Sequence, residues 1–112
     1  MKQQFTGQAL TIYVGEQDQW QGGPLFAAVV NRLKSAGLAG VTVLHGIEGF
    51  GAHRQVHTER IEVLFQALPI VIRAVDTSDK IAAVRPLLDE MLTEALVTVQ
   101  DLQAIRYTKS SP

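Results

Sequence analysis

The sequence predicts an α+β domain of order βαββαβ, an antiparallel sheet with two helices on one of its faces. Three observations carry this expectation. Two apolar stripes at helical spacing, Leu25 to Leu33 and Ile81 to Leu92, each lie between runs rich in β-branched residues. The run LPIVIRAVDT is apolar at nearly every position from Ile70 to Val75, as a central strand requires. A chain of 112 residues with no cysteine is one domain's worth, long enough to bury a core without disulfide or thiolate-metal staples.

The elements follow in order. Ala9 to Val14, ALTIYV, alternates Thr11 and Tyr13 with Leu10, Ile12 and Val14, the period of a strand buried mainly on one face. The polar connection GEQDQWQGGP leads to Pro24, suited to the first helical position because its missing N–H costs nothing there. LFAAVVNRLKSAG then sets Leu25, Val29 and Leu33, with Phe26 and Val30, on one stripe, and Gly37 supplies the left-handed residue that ends such helices. VTVLHGI is a second strand. TERIEVLFQAL, spanning 58–68, fits both helical spacing and strand alternation, and its structure stays open. LPIVIRAVDT is the third strand, with Pro69 near its start where a lost donor does least harm. DTSD offers N-cap oxygens before KIAAVRPLLDEML, in which Ile81, Val84, Leu88 and Leu92 form a stripe and Pro86 predicts a bend. LVTVQDLQAIRY reads as a turn and a short last strand from Leu102 to Tyr107, and TKSSP, 108–112, as a disordered tail after a single domain of residues 1–107.

Two crossovers of this order, each right-handed, give the ferredoxin-like βαββαβ sandwich. That architecture leaves one sheet face uncovered. Because Ile70 to Val75 is apolar on both alternations, burial of the open face in an oligomer is the expected solution.

Ten basic against eleven acidic residues leave no basic footprint of the kind nucleic acids need. No segment approaches about 18 uninterrupted apolar residues, and MKQQFTGQ has no apolar run of signal-peptide length, so a cytoplasmic protein without membrane insertion is expected. No Ser, His and Asp stand in a nucleophile-elbow context, and the adjacent carboxylates Asp89 and Glu90 point in different directions on a helix. The expectation is a non-enzyme.

The densest concentration of chemistry is HGIEGFGAHRQVHTE, His45 to Glu59, with three glycines, all three histidines and one arginine. Its glycines do not open an amphipathic helix, which removes a dinucleotide or P-loop reading. His53 and His57 are four apart with Glu59 two further on, a conceivable ligand set for a metal. Arg54 beside the glycines and Arg73 in the central strand are placed for anion chemistry, the guanidinium offering a planar fork and glycine-flanked N–H groups sharing the work. Arg73 is equally suited to an ion pair between subunits. Trp20 in WQGGP reads as a cap over the core edge or a partner contact.

The combination AGLAGVTVLHGIEGFGAHRQVHTE, then LPIVIRAVDTSDKI and a second helix, resembles the PII-like domain of unknown function 190 family, relatives of the PII nitrogen-signalling proteins. The resemblance covers Gly7 to Tyr107 and is most specific at Gly49-Phe50-Gly51 and at Leu68-Pro69, similar to the flanks of the T-loop in PII proteins. It implies a homotrimer with ligand sites in clefts between subunits, an adenine nucleotide as the candidate ligand, and a membrane transporter or enzyme as the regulated partner. Carried over by position, Gly49, Phe50 and Gly51 line the cleft and Ala52 to His57 form a short T-loop equivalent. His53, Arg54, His57, Arg73 and Arg106 complete the candidate ligand set. The glycine- and lysine-rich phosphate loop of PII proteins has no counterpart in TEALVTVQDLQAIRY, and Arg106 and Lys109 stand in for their arginine-rich segment. A metal-binding trimer using the histidine-rich loop, and a pure protein-interaction module, are the alternatives.

Overall fold

The structure, a computed structural model, describes residues 1–46 and 68–109. Its elements are β1 (Lys2–Gly15), β2 (Gln19–Trp20), β3 (Gly23–Pro24), α1 (Leu25–Ser35), β4 (Val41–His45), β5 (Pro69–Asp76), α2 (Ser78–Leu88) and β6 (Leu96–Tyr107). Four of the strands form one antiparallel sheet in the order β4-β5-β1-β6, and β2 and β3 form a small hairpin of their own. This is the βαββαβ order expected, with one insertion.

Alternation along β1 sorts the two faces. Leu10, Ile12 and Val14 stand opposite Ala74, Ile72 and Ile70 of β5, and together with Leu25, Val29 and Leu33 of α1 and Ile81, Val84 and Leu88 of α2 they are buried. Both helices therefore cover the same face, and their seam is the core. Burying a side chain of this size contributes roughly 1.5–3 kcal/mol, so this one interface carries most of the hydrophobic stabilisation.

Both helix termini follow local rules. Leu38 N–H reaches Leu33 C=O at 3.4 Å and Gly37 N–H reaches Lys34 C=O at 3.1 Å, the paired bonds of a Schellman motif, with Gly37 at φ +88°. At the start of α2, the Thr77 hydroxyl accepts from Lys80 N–H, and Asp79 adds negative charge to the first turn. Pro86 sits in the last turn of α2, which ends two residues later; Leu92 packs on the core from beyond the helix. A proline this close to the C-terminus removes a single helical bond, so the helix runs through it.

Besides the end of α2, at Leu88 rather than past Leu92, three boundaries differ from the sequence expectation. β1 begins at Lys2 rather than Ala9, and β6 begins at Leu96 rather than Leu102. The reason is mutual: Lys2 to Gly7 pair only with Leu102 to Tyr107, as a two-stranded ribbon beyond the end of β5, where no apolar alternation is demanded of KQQFTG. Main-chain bonding continues one step further, Thr108 N–H donating to Met1 C=O at 2.8 Å. Pro24, expected as the first helical residue, pairs with Gln19 and caps α1 from an extended conformation, φ −63° and ψ 132°. The hairpin it belongs to turns through Gln21 and Gly22, both at positive φ as a type I′ turn requires. It presents Trp20 to the core edge, where the Arg32 guanidinium lies 5.3 Å from the ring centroid and also pairs with Glu90. Trp20 is thus a cap over the core edge, and Glu90, read as a helical surface charge, lies beyond α2 and ties α1 to its end.

Asp76 closes β5 on the helix side and is buried. Its carboxylate accepts from Ala39 N–H at 2.9 Å and from Thr77 N–H at 2.8 Å, joining the loop before β4 to the entry of α2. Burial favours the neutral form, but these two bonds, with the attraction of Lys80 and Arg106, overcome it and hold the pKa below the ordinary aspartate value. A carboxyl held low in the folded state adds stability that is fully present above the unfolded pKa of about 3.9 and is lost as pH falls through the folded value. Asp76→Asn is expected to lose about 1–3 kcal/mol in urea unfolding at pH 7. The gap between wild type and variant should narrow below about pH 4; a gap independent of pH would contradict this assignment.

Candidate functional site

Two regions of the fold gather polar chemistry. The first is the end of the sheet where β1 and β4 finish and β5 begins. Glu16 N–H donates to Leu68 C=O at 2.9 Å, Gly46 N–H to Pro69 C=O at 2.8 Å, and the Asp18 carboxylate accepts from Gly15 N–H at 2.8 Å. The chain positions on either side of 47–67 are thereby held side by side. Here Glu16 Oε1 lies 3.3 Å from His45 Nε2, both groups being partly exposed. Oε2 of the same carboxylate is buried and finds no hydrogen-bond partner among the described residues.

A close approach holds this end together. A Cβ on Gly46 would fall 2.6 Å from Cγ of Pro69, well inside contact distance, whereas one on Gly40, just before β4, meets nothing within 4 Å.

The second region is the sheet face that the helices leave uncovered. Its register builds transverse rows across the four strands. Leu44, Val71, Tyr13 and Leu96 form an apolar row, with Tyr13, Leu44 and Leu96 at 40, 53 and 59% exposure. The next row is polar: Thr42, Arg73, Thr11 and Thr98. Val75, Ala9 and Gln100 follow. Arg73 Nη1 donates to the Thr11 hydroxyl at 3.0 Å, which holds the exposed guanidinium along the row.

Of the residues singled out in the sequence, Arg73 and Arg106 share this face but are not brought together. Arg73 stands opposite Thr11 and Arg106 opposite Gln3, eight positions apart along β1, a separation of about 26 Å at about 3.3 Å per residue. Arg106 instead lies over the Phe5 ring, 5.5 Å from its centroid. Gly49, Phe50, Gly51, His53, Arg54 and His57, with Glu59, lie outside the described residues. Among the described residues no group of three histidines, aspartates or glutamates could hold a metal ion, and no helix is long and apolar enough to cross a membrane. The threonine row and the Glu16 to His45 pair were missed in the sequence. Each depends on strand register, which joins residues more than 25 positions apart.

The chain matches the model of the DUF190 family, described as Uncharacterized ACR, COG1993, over residues 7–104. A UPF0166 protein of Aquifex aeolicus (strain VF5) is 29% identical over 98 residues, covering 86% of this chain and 90% of the relative. One from Methanocaldococcus jannaschii is 34% identical over 93 residues, covering 82% and 85%. Among solved structures, a PII-like chain of Thermus thermophilus superposes with a TM-score of 0.65 at 13% identity, over 90% of this chain and 91% of its own. CPII of Thiomonas intermedia K12, a nitrogen regulatory PII-like protein solved with ADP, AMP and bicarbonate, gives 0.64 at 17% identity, over 91% and 98%. At these identities the structures establish a shared PII-like fold.

Gly46→Ala is expected to lose about 1–3 kcal/mol in chemical unfolding, the range for forcing extra atoms into a packed site. Gly40→Ala should stay within about 0.5 kcal/mol of wild type, as surface changes do. Equal behaviour of the two would show that the Pro69 contact does not constrain the sheet end.

Proposed function

The chain belongs to the DUF190 family, and from that premise we propose that it is a PII-like signalling and regulatory protein, without catalytic activity, that works as a homotrimer in the cytoplasm. Its subunits join through the open face of the sheet. A small anionic ligand, an adenine nucleotide, binds in the clefts between them, lined by Gly49, Phe50 and Gly51 with the arginines Arg54 and Arg106 available to phosphate. His53 to His57 form the response element that engages a transporter or an enzyme.

The observation that carries this reading is the uncovered face. Tyr13, Leu44 and Leu96 are all large, apolar and at least 40% exposed, in a single row with Val71 between them. A row of this kind on a lone subunit is an unfilled interface. The nucleotide is supported by ADP and AMP on CPII, a protein of the same fold. The sheet end supports the response element, because Gly46 and Leu68, the described residues on either side of 47–67, are both fixed there by main-chain bonds.

Light scattering at micromolar concentration is expected to give three times the chain mass of 12.2 kDa, and Leu96→Asp to reduce it toward one. A wild-type monomer would remove the assembly and its clefts together. A ligand that binds only the folded assembly adds about 2.7 kcal/mol at a hundred times its Kd, so ADP or AMP should raise the melting temperature in the millimolar range. No shift with either nucleotide would remove the ligand.

A further inference from the structure

We infer that the Arg73 row is a second anion site, one that takes an inorganic oxyanion into the subunit interface. The inference rests on the assembly proposed above and goes beyond its nucleotide clefts.

The charge inventory of the open face is one-sided. The described positions on it run Thr42 and Leu44 on β4, Pro69 to Val75 by alternation on β5, Gln3 to Tyr13 on β1 and Leu96 to Arg106 on β6. They include two arginines and no carboxylate. The neighbouring acids turn elsewhere: Asp76 is buried on the helix side, Asp101 accepts from Gln8 there at 2.9 Å, and Glu16 pairs with His45. Arg106 lies toward the far end of the ribbon, over Phe5.

Arg73 is different, because its row adjoins the exposed apolar row that drives assembly. Rotational symmetry repeats the same cation on every subunit and, among the described residues of this face, brings no opposite charge to meet it. A guanidinium cannot escape burial by losing its proton. Desolvating it without a partner costs more than aliphatic contact returns, so a counter-charge must enter with it.

The row is shaped to receive one. The Thr11 hydroxyl, itself on a residue only 2% exposed, accepts from Nη1 and orients the fork. Thr42 on one side and Thr98 on the other add hydroxyl donors at the same level of the sheet. A planar five-donor fork flanked by hydroxyls and bordered by an aliphatic row matches a compact oxyanion, held bidentate.

The test follows assembly of the full chain against protein concentration, in nucleotide-free buffer, with inorganic phosphate titrated against chloride at matched ionic strength. Phosphate at low millimolar concentration is expected to lower the dissociation concentration about tenfold. Arg73→Met should abolish that response and, with no phosphate present, assemble more tightly than wild type, because the uncompensated charge is gone. Arg73→Gln, which keeps a polar side chain at the position, should also lose the response and guards against a misfolded Met variant. If wild type assembles but ignores phosphate, or if Arg73→Met weakens assembly without phosphate, a neighbouring subunit's carboxylate fills the role and the anion site falls while the trimer stands. A monomer under all conditions overturns the assembly reading and this inference with it.

Discussion

The antiparallel pairing of β1 with β5 on one side and β6 on the other sets Ile12 opposite both Ile72 and Val97, and that register decides which side chains meet the helices. Because the side-chain period of a strand is two, one choice at Ile12 assigns every residue from Gly7 to Gly15 to a face. The even positions, Leu10, Ile12 and Val14, go beneath α1 and α2. The odd positions, Ala9, Thr11 and Tyr13, go to the side without helices. A slip of β1 by one residue would turn Thr11 toward the core and Ile12 toward solvent, so the hydrophobic stabilisation of the core also fixes the chemistry of the opposite face.

The two faces do different work with similar composition. On the helix side, exposure falls to 0% at Leu10, Ile12, Val29, Leu33, Ile72 and Ile81, and the buried Asp76 carboxylate has both its oxygens bonded to main-chain N–H groups. On the other side, large apolar residues stay half exposed beside a charged row. The first face is covered by helices of the same chain, and the second is left open. The sheet end links them, since Glu16, directly after β1, donates its N–H to Leu68, Gly46, directly after β4, donates to Pro69, and the Glu16 and His45 side chains meet beside these bonds.

Where the sequence was legible, each segment carried its own cause. The stripe of α1, that of α2 as far as Leu88, the Thr77 cap, Gly37 after α1 and the apolar run of β5 are all local patterns, and each appears where its residues place it; Leu92, read as part of the second stripe, lies beyond the helix. The ribbon was not legible, because Lys2 to Gly7 and Leu102 to Tyr107 are held by each other's main chain rather than by a core. The same holds for β6 at Leu96 to Val99, whose LVTV reads as a turn in isolation and becomes a strand by pairing with Leu10 to Tyr13. The site was legible in part. Arg73 could be picked out as a cation within an apolar strand, but its partner Thr11 lies 62 residues away and only register joins them. Trp20 needed the hairpin and Arg32 to become a cap.

A charged row inside an apolar face also bears on how selectively such a face would associate. Leu44, Val71, Tyr13 and Leu96 alone could be buried in many orientations, because aliphatic contact is non-directional and rewards area in whatever arrangement supplies it. Arg73 makes those arrangements unequal. Each one that buries the guanidinium without an opposite charge carries the desolvation cost, and each that leaves it in water forfeits part of the adjoining apolar row. Discrimination of this kind is a difference between free energies and adds nothing to the strength of the favoured state. It therefore trades against affinity: an aliphatic residue at position 73 would widen the apolar face and, by the same change, remove the term that ranks one packing above another.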